Sequence, residues 1–476
     1  MKTQDFRLTG SVSWVATQGF TFAFGRDNEP CLPFQYTYQR IDTHIHHSAA
    51  NKEYQVKIQV LPFLLVAATS FFIFGAQSNL SQSAMVSDAN SGSFSFSEDV
   101  NFLKKHTNVI VLRDAANVAQ IAVAPQWQGR VMTSTVDHRS GRGFGWINRP
   151  LISSGHIATH INPFGGEDRV WLGPEGGQFS IYFAKGAPFD YEHWFVPEAL
   201  DTRPFHVVSH SRNKVSFEEP FTLTNRFGTR FEILIRREVH LLESTEAWGD
   251  LGVAAEPHLA LVAYESKNDL INVGKDKWDR NTGLLSIWIL GMFSPSPSCT
   301  IVVPIKNGPE ASLGNKVNSD YFGEIPTTRL KTTEDAVFLR ADGRFRSKIG
   351  INPLRSLGRL GSYDADNHVL TIVHFDQPEG MNGYVNSQWK IQSDPFGGDV
   401  ANAYNDGAPT PGAKPLGPFF EMESSSPAAA LSPGSKISHV HRTMHFTGPE
   451  SELDSIARKL LGVSLMNIQT AFNNNR

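Results

Sequence analysis

Toward the end of the chain the sequence reads Pro418-Phe-Phe-Glu-Met-Glu-Ser-Ser-Ser-Pro427. In an extended backbone Glu421 and Glu423 project to one face while Phe420 and Met422 project to the other. Two carboxylates on one face beside apolar neighbours raise the pKa of at least one of them, as a general base working near neutral pH requires. A second concentration of polar groups runs from His160 to Gly177, HINPFGGEDRVWLGPEGG. Its glycines let the backbone approach a ligand, and Trp171 offers a flat apolar face. Glu167, Asp168, Arg169 and Glu175 offer hydrogen bonds. The combination suits the C–H face and hydroxyls of a sugar. It suits equally a turn in which Arg169 pairs with Glu167 or Asp168 and Trp171 is core.

A third segment, Gln388 to Gly407, contains Trp389, Asp394, Asp399, Asn402, Asn405 and Asp406. These side chains suit a hydroxyl-rich ligand, self-capping Asx turns, or the hard oxygens that Ca²⁺ prefers. Their spacing matches no calcium-binding loop, so no cofactor is expected and no metal ligand is assigned. His439-Val-His441 places two imidazoles on one strand face, which reads as a solvated face sooner than as a metal pair. The early cluster Asp42-Thr43-His44-Ile45-His46 has the spacing of a two-imidazole metal motif but lacks the strand and later ligands that such a centre needs.

The elements that must position these groups are mostly strands. Strand-like runs occur at Asn108–Arg113, Gln120–Ala124, Arg130–Val136, Phe179–Ala184, Phe205–Phe217, Arg230–Leu242, His258–Glu265, Leu284–Met292 and Thr300–Ile305. They continue at Val337–Leu339, Val369–Phe375, Gly417–Met422 and Lys436–Thr447, each closed by polar, Gly or Pro residues. Helical signals are few. Ser97 is placed to cap a short helix through His106, and from Glu450 the residues Leu453, Ile456, Leu460 and Leu461 share one face. Many strands and few helices imply a mainly β, antiparallel architecture with short N-terminal and C-terminal helices.

Before this body the run Ile58–Ala76 is uncharged and apolar, introduced by Lys57 and followed by small residues. It reads as a signal peptide or an uncleaved membrane anchor. The expected organisation is a non-structured or mis-extended segment at 1–56, the apolar segment at 57–76, a Ser/Asn/Gln-rich linker at 77–96, one domain at 97–448, and a helix and tail at 449–476. That order places the protein in the periplasm or outside the cell, with membrane contact only through residues 57–76 if they are retained. The 476 residues carry a net charge of −4 with no long basic run, which argues against a nucleic-acid partner. Phe 33 and an aromatic content of 11% exclude disorder for most of the chain, and Cys 2 excludes a disulfide framework.

Three segments in order resemble the galactose-mutarotase-like (aldose 1-epimerase) superfamily: QIAVAPQWQGRVMTSTV, FGGEDRVWLGPEGGQFSIY, and FFEMESSSPAAALSPGSKISHVHRTMHF. The resemblance covers about 108–448, and YVNSQWKIQSDPFGGDVANAYNDG marks an uncharacterised branch. It implies an antiparallel β-supersandwich that needs no cofactor and whose concave face holds a carbohydrate, bound by a monomer. It further implies isomerase chemistry, with Glu423 or Glu421 as base and a histidine as acid. The strand that carries the family's acid corresponds to Gly283–Phe293, which has no histidine. The acid would then come from another loop, with His160 foremost and His258 or His439 as substitutes. Two further functions fit the same shape, a non-catalytic carbohydrate-binding module and a polysaccharide lyase or hydrolase.

Overall fold

The computed structural model describes residues 94–472, apart from residues 140 and 411. The segments expected at 1–56 and 57–76, nearly all of the linker at 77–96, and the Asp42–His46 cluster lie outside the described residues. Helix α1 (Phe96–Leu103) opens the described chain. Its N-cap is Ser95 and not Ser97: Ser95 Oγ accepts from the Glu98 amide, and the Glu98 carboxylate accepts from the Ser95 amide at 2.8 Å. That reciprocal pair needs a Glu three residues after the cap. Ser95 has it, whereas Ser97 is followed at that distance by Val100.

Strands β1 (Ile110–Arg113), β2 (Gln120–Ala124) and β3 (Arg130–Thr135) form a small antiparallel sheet. Then come α2 (Arg149–Ser154), β4 (Arg169–Gly173), α3 (Glu198–Asp201), β5 (His206–His210), β6 (Lys214–Thr224) and β7 (Arg230–Leu241). Helix α4 (Ser244–Leu251) leads to β8 (Ala260–Asn272), β9 (Ser286–Phe293) and β10 (Cys299–Pro304). After α5 (Glu310–Leu313) the chain runs through β11 (Leu330–Thr332), β12 (Ala336–Arg340), β13 (Ser347–Ile351), β14 (Arg359–Asp364) and β15 (Val369–Phe375). It ends with β16 (Ala401–Asn405), β17 (Phe420–Ser425), β18 (Lys436–Thr447), α6 (Glu450–Leu461) and α7 (Leu465–Gln469).

A ten-stranded antiparallel sheet has the order β11-β12-β10-β14-β15-β18-β8-β7-β6-β5, and a five-stranded one has β13-β16-β17-β9-β4. Both share apolar core: Ile349, Ala403, Phe420 and Met422 of the smaller sheet cluster with Ile301, Val303, Leu360 and Val373 of the larger. The chain is thus mainly β and antiparallel, as expected. Strands β6 and β7 alternate buried and exposed residues, so their outer face meets solvent. Every residue of β4, β9, β16 and β17 is buried, so both faces of the smaller sheet are covered.

The strand expectations fail where a local feature overrides the pattern. Phe179–Ala184 makes only an isolated bridge between Phe183 and Trp194, because the rings there pack in a turn-rich segment. Phe205–Phe217 is two strands, β5 and β6, joined by a reversal in which Ser211 donates its amide to the Lys214 carbonyl. Helix α6 buries Leu453, Ile456, Leu460 and Leu461 against a cluster that includes Val302, Phe338, Tyr363 and Met444. Among the described residues no helix is long and apolar enough to cross a membrane.

Candidate functional site

The two polar segments His160–Gly177 and Gln388–Gly407 each contain a strand of the smaller sheet. Within His160–Gly177, Gly165 and Gly166 hold φ of 98° and 107°, a region that favours glycine. A Cβ on Gly165 would strike the Trp146 carbonyl, and one on Gly166 would strike the Arg130 side chain. Past this close passage β4 pairs with β9, setting Arg169 opposite Leu290 and Trp171 opposite Trp288. Within Gln388–Gly407, β16 sets Asn402 opposite Glu423 and Tyr404 opposite Glu421, while Lys348 of β13 lies opposite Tyr404. Directly opposed residues share a face. One face of the sheet therefore carries Lys348, Asn402, Tyr404, Glu421, Glu423, Trp288, Arg169 and Trp171. The other carries Ile349, Ala403, Met422 and Phe420 toward the core.

At the centre of the polar face Glu423 Oε2 accepts from Lys348 Nζ at 3.0 Å and from Trp288 Nε1 at 2.9 Å. Its other oxygen, Oε1, is buried and has no protein hydrogen-bond partner. Glu421 Oε1 accepts from Arg169 Nη2 at 2.7 Å, and the guanidinium lies 4.3 Å from the Trp171 ring centroid. Burial pushes the Glu421 carboxyl up to about 7, with Glu423 adding to the rise, although the Arg169 contact favours the ionised form. Burial prevails here because removing a carboxylate from water costs more than one buried ion pair returns.

Burial also raises Glu175, against the pull of Lys348. Burial acts to lower Lys348, but Glu423, Glu175 and Glu421 leave it raised, so it stays an ammonium. At the edge of the group Asp399 Oδ2 accepts from Tyr321 Oη at 2.6 Å and from Asn318 Nδ2 at 2.9 Å. Burial raises Asp399 in spite of both bonds. Around the carboxylates the indole N–H groups of Trp171 and Trp194 are buried without a partner, while that of Trp389 faces the Glu175 carboxylate. The site thus offers a free carboxylate oxygen, a fixed ammonium, a carboxyl that titrates near neutrality and two unspent donors.

The structure gathers Glu421, Glu423, Arg169 and Trp171 on this face, with Glu175 and Asp399 beside them. It does not bring the remaining candidates there. Glu167 and Asp168 turn toward the ten-stranded sheet. Glu167 accepts from the Ser134 amide at 2.6 Å, from Tyr264 Oη at 3.0 Å and from His445 Nε2 at 3.1 Å. Asp168 accepts from Arg237 Nη2 at 2.6 Å and from Ser266 Oγ at 2.7 Å. Neither keeps an oxygen for a ligand, and Arg169 pairs with neither. Asp394 is exposed and caps its own turn by accepting from the Phe396 amide. Asn405 is spent on the Gly343 amide and the Phe345 carbonyl. Trp389 stacks on Trp194 at 5.6 Å and so borders the site.

His160 donates Nδ1–H to the Trp194 carbonyl and stacks on Phe195, and it makes no hydrogen bond to either glutamate. His258 is at the surface with Glu452. His439 and His441 are not solvated: both are buried between the sheets, on opposite sides of Ser424 Oγ at 2.7 and 2.8 Å. Ser424 points away from Glu423 on β17, so the imidazoles lie behind the polar face. Among the described residues no group of three His, Cys, Asp or Glu side chains is arranged to hold a metal ion.

Lys348, Trp288 and Tyr321 escaped the reading of the sequence. The lone Lys in Ser-Lys-Ile-Gly-Ile, a strand-length apolar run, was the one available signal for Lys348. Tyr321 stands outside any regular element and had none.

A family model matches residues 94–472, the whole described span. The chain belongs to the family of unknown function DUF6786. A search of the curated proteins gave no match. Solved structures similar to this DUF6786 chain include the Slr1438 protein from Synechocystis sp. PCC 6803, 12% identical over 72% of this chain and 96% of that one, with a TM-score of 0.41. A galactose mutarotase-like protein from Lactobacillus casei ATCC 334 is 11% identical over 71% and 100% of the two chains, with a TM-score of 0.37. A galactose mutarotase related enzyme from Lactobacillus acidophilus is 11% identical over 72% and 98%, with a TM-score of 0.40. These likenesses carry nothing about chemistry.

Proposed function

We infer that the polar face of the smaller sheet binds a carbohydrate and moves a proton on it, in the manner of an aldose epimerase with a different acid. The observation that carries this reading is Glu423: a buried carboxylate fixed through one oxygen by Lys348 and Trp288, with the other oxygen unpartnered. Such an oxygen suits a sugar hydroxyl, which can donate to it. The unpartnered indole donors of Trp171 and Trp194 suit further hydroxyls.

Ring opening of a hemiacetal removes the anomeric hydroxyl proton and delivers a proton to the ring oxygen. Glu423 Oε1 takes the first proton. The second comes from Glu421, whose carboxyl is held near 7 and is therefore partly protonated at neutral pH. Lys348 stabilises the negative charge that passes through the group. Reclosure on the opposite face of the carbonyl reverses both transfers and returns the two carboxyls to their starting states. A pair of glutamates thus replaces the expected glutamate and histidine.

The test is a screen of free sugars by calorimetry, followed by NMR exchange spectroscopy of the two anomers of any sugar that binds. Glu423→Gln is expected to slow anomer exchange by roughly 10²–10⁴-fold. A second reading, a binding module without catalysis, is favoured by the absence of histidine from the partners of either glutamate. It predicts that the anomers exchange no faster with the protein than in buffer, and that Glu423→Gln changes affinity alone.

A further inference from the structure

Three cations stand along the polar face, and two of them are spent. Lys348 is matched by Glu423 at 3.0 Å, and Arg169 by Glu421 at 2.7 Å. The third is Arg346, which precedes Lys348 by two residues. Residues at that spacing in an extended chain share a face about 7 Å apart. Ring contacts fix its place. Lys348 Nζ lies 5.6 Å from the Tyr321 ring centroid, and the Arg346 guanidinium lies 3.7 Å from that of the adjacent Phe322. Phe322 packs edge-on against Tyr404 at 6.1 Å, and Tyr404 stands opposite Lys348 in register.

The surroundings of Arg346 differ from those of the other two cations. Lys348 and Arg169 are buried, whereas Arg346 is half-buried and reachable from solvent. Among the described residues no carboxylate comes within ion-pair distance of it and no acceptor within hydrogen-bond distance, so the guanidinium rests on a ring face alone. The acids nearest to it are engaged elsewhere. Asp406 accepts from Tyr404 Oη at 2.7 Å and from the Gly417 amide at 2.9 Å, and Glu175 faces the Trp389 indole. The Arg346 charge pulls Glu175 and Asp406 down and also Tyr191, which is 48% exposed. It therefore sits where the buried acids give way to the surface. A guanidinium stacked on a ring keeps its in-plane N–H groups free for an acceptor. One such fork matches the two oxygens and the single charge of a carboxylate. A phosphate carries about −1.5 to −2, and no second unmatched cation stands on this face to meet it.

We propose that the substrate is a hexuronate, whose C6 carboxylate is held by Arg346 while its anomeric hydroxyl lies at Glu423. This rests on the carbohydrate reading of the polar face and names the class of sugar. In a hexopyranuronate the carboxylate-bearing carbon and the anomeric carbon flank the ring oxygen. One side of the ring then faces Arg346 and the other faces Glu423. The hemiacetal is that of a neutral sugar, so the proton transfers at Glu423 and Glu421 are unchanged.

The experiment is calorimetric titration of the full chain at pH 7 with galacturonate, glucuronate and mannuronate, beside galactose, glucose and mannose and their 6-phosphates. The expected result is one hexuronate that binds about tenfold or more tightly than its neutral hexose. Arg346→Gln should remove that ratio and leave the affinity for the neutral hexose as it was, while Arg346→Lys keeps part of it. Arg346 bonds to nothing in the fold, so both variants should fold, and circular dichroism checks that they do. Equal binding of hexuronate and hexose overturns the hexuronate proposal while leaving the sugar site standing. So does a preference that Arg346→Gln preserves, or a 6-phosphate that binds more tightly than any hexuronate. Failure of every sugar to bind at millimolar concentration overturns the carbohydrate reading itself, and the extension falls with it.

Discussion

Two buried acidic clusters lie on opposite sides of the smaller sheet, and they are built to different rules. Behind it, Glu167 and Asp168 have every carboxylate oxygen bonded, to Ser134, Tyr264 and His445 in one case and to Arg237 and Ser266 in the other. In front of it, Glu423 keeps an oxygen unpartnered, and Glu421, Glu175 and Asp399 are all pushed toward protonation by burial. A buried polar network that is complete holds a fold together, and one that is incomplete costs stability that a binding or reacting partner can recover. The two motifs Gly-Gly-Glu-Asp and Glu-Met-Glu look alike as sequence. The difference is in what surrounds them.

The contrast is broken most directly at the rear cluster. Arg237→Met leaves Asp168 as an uncompensated buried charge and should lower stability by about 3–5 kcal/mol in urea unfolding. A loss too small to measure would mean the rear cluster is not structural. At the front, the double variant Lys348→Met with Glu423→Gln removes both charges together. It should match the parent in stability or exceed it by about 1–4 kcal/mol, while sugar binding disappears. A large loss of stability from that pair would show that the front cluster is structural as well.

The two clusters also predict opposite pH limbs. Burial, together with the charge of the other imidazole, depresses His439 from 6.5 to about 3, and burial depresses His441 to about 4. The stability they contribute is present above 6.5 and is lost as the pH falls through their folded values. Glu421 has the opposite sign. Its folded value near 7 lies above the ordinary 4.5, so its contribution is present below 4.5 and is lost as the pH rises through 7. Melting temperature against pH should therefore fall on both sides. Between 4.5 and 6.5 the two effects oppose, so Glu421→Gln should remove the fall above 6.5 and steepen the acid limb, and His439→Gln should flatten the acid limb. The smallest effect is expected from Trp389→Phe, which removes the indole hydrogen bond to Glu175. It should lower stability by about 1 kcal/mol and weaken sugar binding.

Much of the architecture was legible in the sequence. The alternation in Arg230–Leu241 and the apolar stripe of Glu450–Leu461 are local signals, read without knowledge of the partners. The pairing of Glu421 and Glu423 on one face follows from the two-residue period of a strand and survives in the structure. By contrast, β4 and β16 are absent from the strand-like runs of the sequence. Glycines, prolines and polar residues surround them, and both are covered on both faces, so the alternation that reveals a half-exposed strand is missing.

The sequence by itself determined the class of fold, the extended run that aims two carboxylates one way, and the glycines that permit a tight passage before Arg169. The tertiary structure alone decided which acids remain available. Availability depends on partners far away along the chain, such as Lys348 for Glu423, Arg169 for Glu421 and Arg237 for Asp168. A side chain's hydrogen-bond account and its desolvation are set by what the whole fold packs against it, and no local pattern encodes either.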